Sequence, residues 1–128
     1  MISKDLTEMH EKYGFTDQCK WWSKEQKEQF LKFRGAFIQE ELNELQIAIS
    51  QDNKEEIVDA LIDIAVVALG TLDMFNVDID KAWSEVHVAN MSKEPGIKEG
   101  RPNPLGLPDL VKPEFWQAPT HKDNLGDL

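Results

Sequence analysis

The sequence holds one cysteine and three histidines, and has no proline before Glu94. The lone Cys19 cannot close an internal disulfide and has no CxxC partner, which argues against a stapled secreted scaffold and for a reducing cytoplasm. His10, His87 and His121 stand apart, with neither HExxH nor paired Cys/His spacing, so a zinc centre is not expected. No apolar run reaches the ~20 residues that a bilayer core requires, and the most apolar stretch, "KEEIVDALIDIAVVALGTL", is broken by Asp59 and Asp63. The start, "MISKDLTEMHEKYG", has no apolar run behind a basic end, so no signal peptide is expected. Positive charge is also scarce. With 14 Lys and Arg against 24 Asp and Glu, the net charge of −10 sets the surface against DNA, RNA and anionic membranes. An anionic substrate stays possible if cations bridge it.

What is present is helical. The 128 residues, 41% hydrophobic and 30% charged, suit one globular domain, residues 1–128. A first helix is expected from about Ser3 to Lys12, ending near Gly14. Ser23 followed by Gln26 has capping-box spacing and opens a second helix that runs to about Ser50. "SQDN" is a turn in which Asp52 or Asn53 caps a third helix to about Phe75, antiparallel to the second. Asp78 caps a fourth, "IDKAWSEVHVANMS". All six prolines follow, so residues from about 94 to 128 read as an irregular Pro/Gly-rich arm on a helical core of about 3–93. The expected fold is an all-α bundle of four to five helices.

Acid sits where apolar periodicity predicts burial. At ~100° per residue with Phe30 at zero, Phe37, Ala48, Leu45, Ile38, Leu31 and Ile49 define an apolar arc from about 340° to about 100°. Glu41 falls at about 20°, Glu44 at about 320° and Glu40 at about 280°. Measured from Glu56 on the third helix, Asp63 lies at about 340° and Asp59 at about 300°. Two antiparallel helices then each turn an i,i+3 carboxylate pair inward, Glu41 with Glu44 and Glu56 with Asp59. Repulsion among four such charges approaches the stability of a small domain, so the cluster must take up protons or hold cations. Oxygen-only ligands select hard divalent ions, Mg²⁺ or Mn²⁺. Asp63 fits a direct ligand, an outer acceptor, or a partner of Lys or Arg. Taken alone, "QEELNEL" also fits a solvated face. A di-iron site would need Glu-x-x-His, and "EVHVAN" sets Glu85 and His87 at the wrong spacing.

"EELNEL" followed after a short turn by "EIVD" resembles the EExxE…ExxD signature of the MazG-like all-α nucleoside triphosphate pyrophosphohydrolases. "DIDKAWSEVHVANMSK" and the arm after it resemble small phage-type members akin to phosphoribosyl-ATP pyrophosphohydrolase, whose setting would be a host cytoplasm. The likeness covers roughly Phe30 to Pro119. Its short gap between motif halves argues against the dimeric dUTPase branch. It implies Mg²⁺- or Mn²⁺-dependent hydrolysis of a (deoxy)nucleoside triphosphate to the monophosphate and pyrophosphate, with phosphoribosyl-ATP as the alternative substrate. It also implies Glu41, Glu44, Glu56 and Asp59 as metal ligands, and Glu40 as a further metal contact or the group that orients the attacking water. By the same likeness, Asn90 and Lys93 face the nucleotide. Asn90 independently falls inside the apolar arc of the fourth helix, where a buried amide needs a partner.

Other candidates come from the residues alone. Arg34 shares the face of Glu41 two turns earlier, placed to contact phosphate or to pair with an acid. Trp21 and Trp22 precede the second helix, placed to stack on a base or to pack the core. The arm carries Arg101, Lys112, Phe115 and Trp116, suited to wrap a neighbour or to cover the site. The third helix is apolar on nearly every side, through Ile57, Leu61, Ile62, Val66 and Leu69, which predicts a homodimer or a dimer of dimers. A nucleotide-binding sensor without turnover and a purely structural helical adaptor are the readings from other classes.

Overall fold

The computed structural model describes residues 1–128, and they fall into two compact units, 1–79 with 125–128, and 80–124. The first unit is helical. α1 (Ile2–Lys12) buries Leu6 and His10 and ends at Gly14, whose φ of 74° only glycine adopts freely. A 3-10 turn over Gln18–Trp21 buries Cys19 completely. Burial and the nearby Asp127 push that thiol up to about 11, so it packs as an uncharged core residue.

α2 (Lys24–Ser50) opens with the predicted capping box: Ser23 Oγ accepts from the Gln26 N–H, and the Gln26 side chain accepts from the Ser23 N–H. Asp52, at φ 50°, turns the chain, and Asn53 rather than Asp52 caps α3 (Lys54–Met74) by accepting from the Glu56 N–H. This short turn lays α3 back along α2, while α1 packs on α3 from another side. Below the end of α3 lies Phe75, fully buried, with Val77 and Ile79. The C-terminal residues close over it: the Asp127 N–H donates to the Phe75 carbonyl at 2.6 Å, and Asn76 Nδ2 donates to Asp127 at 2.6 Å. Gly126, φ 55°, is needed there, because a Cβ would run into the Phe75 carbonyl.

The second unit holds α4 (Ile79–Met91) and most of the arm. The arm is less irregular than its prolines predict. β1 (Glu94–Gly96) pairs antiparallel with β2 (Asp109–Val111), Pro95 opposite Leu110. Gly96 permits the close approach, since a Cβ there would meet the Val111 methyl at 2.8 Å. Two strands of three residues give proline little ladder to interrupt. Trp116 Nε1 donates to the Ala89 carbonyl at 2.9 Å, fixing the chain after β2 onto α4. No helix is long and apolar enough to cross a membrane.

Candidate active site

The face of α2 that meets α3 is narrower than the predicted arc. Phe30, Arg34, Phe37, Ile38, Glu41, Leu45 and Ala48 are buried or half-buried, a stripe centred at about 30°. Glu41 lies inside it and is 8% exposed. Glu44 and Glu40 fall outside and are exposed, as are Leu31 and Ile49. On α3 the matching stripe runs through Ala60, Asp63, Val67, Gly70 and Met74, so Asp63 is half-buried. Asp59, at the stripe's edge, is exposed, and so is Glu56, which lies on its line but in the first helical turn. The predicted interior placement therefore holds for Glu41 and, in part, for Asp63. It fails for Glu44, Glu56 and Asp59.

Glu41 carries the clearest electrostatic signature. Its carboxyl is pushed above the ordinary glutamate range, first by burial, then by the charges of Glu44 and Asp63, by a hydrogen bond with Glu44, and by Glu40. Glu41 Oε2 is buried without a hydrogen-bond partner. Such an orphaned carboxylate oxygen, with acidic groups near it, is a position that a hard cation satisfies. Glu56 and Asp59 lie further along α3 and line an open cavity of about 580 Å³ with Asn53, Val58 and Ile62. The carboxylates form a strip rather than a closed cage. No three Asp, Glu, His or Cys side chains converge closely enough to hold one ion as the side chains stand.

A second cavity, about 650 Å³, begins one turn away on the same two helices and is walled by Trp22, Phe30, Phe33 and Phe37. Trp22 packs against Phe30 with ring centroids 4.9 Å apart, whereas Trp21 stays exposed. Arg34 lies 5.8 Å from both the Phe30 and Phe37 ring centres. It donates through Nε to Thr71 Oγ1 at 2.8 Å and through Nη2 to the Val67 carbonyl at 3.1 Å. Those bonds tie α2 to α3 and leave the guanidinium edge at the cavity. Burial lowers its proton affinity from that of free arginine.

The sequence reading missed His10, which enters this cavity from α1. Its Nδ1 lies 2.5 Å from Asp73 Oδ2, sixty-three positions along the chain. The available signal was Asp73 itself, an acid in the last turn of α3, where the helix dipole disfavours it. In the second unit, Asn90 and Lys93 are half-buried. Lys93 Nζ sits 5.3 Å from the centre of the Trp116 ring, and Lys112 Nζ sits 5.0 Å from the same ring.

The sequence profile of the phosphoribosyl-ATP pyrophosphohydrolase family matches residues 9–90. The chain belongs to that family. The matched span runs from the end of α1 almost to the end of α4 and takes in Trp22, Arg34, Glu40, Glu41, Glu44, Glu56, Asp59, Asp63 and Asn90, with Lys93 just beyond it. No curated protein matches significantly. Phosphoribosyl-ATP pyrophosphohydrolases are part of the MazG-like all-α superfamily, and membership makes this chain a nucleotide pyrophosphohydrolase.

Proposed function

We propose that the chain hydrolyses a (deoxy)nucleoside triphosphate to the monophosphate and pyrophosphate, by attack of water at the α-phosphorus, with Mg²⁺ or Mn²⁺. The observation that carries this reading is the buried, partnerless oxygen of Glu41 beside Glu44 and Asp63. A buried carboxylate among other acids is relieved either by a proton or, once ionised, by a divalent cation. Glu41 and Glu44 on α2, with Glu56 and Asp59 on α3, would hold the ion or ions, and Asp63 would complete or support the set. When bound, such an ion neutralises phosphate oxygens and eases charge build-up at phosphorus.

The chain's own groups supply the rest. Glu40, exposed beside Glu41, would orient the attacking water or add a metal contact, as the likeness to the family implies. Asn90 and Lys93 contact the nucleotide, as the likeness to the family implies. Trp22 and the free edge of Arg34 belong to the aromatic cavity next to the carboxylate strip. No GxxxxGK[ST] loop is present to grip β- and γ-phosphates for release of the γ-phosphate.

Phosphoribosyl-ATP is the second reading, favoured by the family match. It would lose pyrophosphate from the same kind of linkage. A turnover screen of the common NTPs, dNTPs and phosphoribosyl-ATP with Mg²⁺ and Mn²⁺ tests both. Pyrophosphate release from one or more triphosphates is expected. Turnover confined to phosphoribosyl-ATP selects the second reading, and no turnover with any of them removes both.

A further inference from the structure

The hairpin of the second unit brings two like charges together. Glu94 on β1 pairs with Val111 on β2, so Lys93 and Lys112 occupy the next facing positions, just past the open end of the ladder. Like charges directly across an antiparallel pair destabilise it, so this placement breaks a local rule of strand pairing. Neither lysine forms an ion pair. The other cations of the hairpin have an acid to answer. Arg101 Nη2 lies 2.6 Å from Asp109 Oδ2. The Asp109 carboxyl is held below its ordinary range by the Leu110 N–H, and further by Lys98 and Arg101.

What gathers Lys93 and Lys112 is one ring. Their Nζ atoms lie 5.3 Å and 5.0 Å from the centre of Trp116, and these two distances bound the gap between the ammonium groups. The ring is fixed by its Nε1 bond to the Ala89 carbonyl. Trp116 and Lys93 are half-buried, and Lys112 is exposed. A ring face attracts each ammonium without using its N–H donors, so both groups keep donors for an anion. Both lysines lie beyond the residues, 9–90, that the family profile matches.

We propose that Lys93 and Lys112, seated on Trp116, form a two-point grip for a chain of two or more phosphates, and that Lys112 sets the preference for such a chain over a single phosphate. This rests on the nucleotide reading above and extends it to a residue outside the family match. Phosphate oxygens accept charge-assisted bonds from both ammonium groups, and their negative charge removes the repulsion between the lysines. A diphosphate reaches both cations at once. A single phosphate has less charge and a shorter reach, so it gains less from the second lysine.

The test is calorimetric titration of the full chain, stripped of metal and at low salt, with pyrophosphate and tripolyphosphate against orthophosphate. Pyrophosphate should bind about tenfold more tightly than orthophosphate. Lys112→Gln should weaken pyrophosphate binding about tenfold and orthophosphate binding by less than about threefold, while Lys112→Arg retains most of it. Lys98→Gln removes a charge elsewhere on the same hairpin and should change neither by more than about twofold. No binding of pyrophosphate, equal affinities for pyrophosphate and orthophosphate, or an equal loss in Lys98→Gln and Lys112→Gln would overturn the proposal. With any triphosphate that is turned over, Lys112→Gln should raise KM more than it lowers kcat. Turnover with KM unmoved by Lys112→Gln removes the grip and leaves hydrolysis standing. Pyrophosphate binding that depends on Lys112, with no triphosphate turned over, leaves the grip and removes hydrolysis.

Discussion

Glu41 on α2 and Asp63 on α3 set one carboxylate near another across the seam of two packed helices, and the charge of Asp63 helps raise the proton affinity of Glu41. Burial contributes more to that rise, and Glu44 also contributes. The folded chain therefore keeps a proton on Glu41 at a pH where the unfolded chain has released it. Between the ordinary glutamate range and the raised value, the unfolded state binds fewer protons than the folded one. Stability without metal must then fall as pH rises through that window.

Thermal unfolding with a chelator present should show this directly. The melting temperature without metal is expected to fall as pH rises above the ordinary glutamate range, where the folded chain gives up the proton that Glu41 holds. Mn²⁺ should restore more at pH 7 than at pH 5, because the deprotonated form binds it. Glu41→Gln should flatten the pH dependence and reduce the response to Mn²⁺. A melting temperature indifferent to Mn²⁺ at both values would speak for a structural helical protein.

Exposure sharpens the mutational test. Asp59 is exposed on α3, so Asp59→Ala should leave helicity and melting temperature nearly unchanged, within about 0.5 kcal/mol. Turnover should nevertheless be lost, and Glu41→Ala should lose it as well. Circular dichroism alongside steady-state pyrophosphate release separates the two effects. Near-normal activity in either variant would remove that residue from the site.

Burial in the single chain leaves an apolar face unmet. Val58 is 63% exposed, Leu61 50% and Ile62 58%, all on α3 beside Glu56 and Asp59. Apolar patches of this kind are uncommon on free monomers. A homodimer or a dimer of dimers is the expected species, and light scattering at micromolar concentration measures it. Leu61→Lys should shift the mass toward the monomer. A wild-type monomer would contradict the expectation.

Local signals in the sequence were legible where the physics is local. Ser23 and Gln26 cap α2 through groups three residues apart, and Gly14 ends α1 by its own backbone freedom. Glu41 was legible from periodicity because its angle lies near the centre of the buried stripe. Glu44, at about 320° on α2, and Asp59, at about 300° on α3, were placed too deep because both lie at the margin of the buried stripe, where the helical angle alone does not separate buried from exposed. Pairing across the fold left little trace. The His10–Asp73 bond joins residues on different helices, and β1 pairs with β2 through segments whose prolines argue against strands.

Hydrolysis in ¹⁸O-labelled water tests the proposed reaction most directly. Attack at the α-phosphorus places the label in the nucleoside monophosphate, with unlabelled pyrophosphate and no early orthophosphate. Label in orthophosphate with a nucleoside diphosphate accumulating, or label in pyrophosphate, would contradict it.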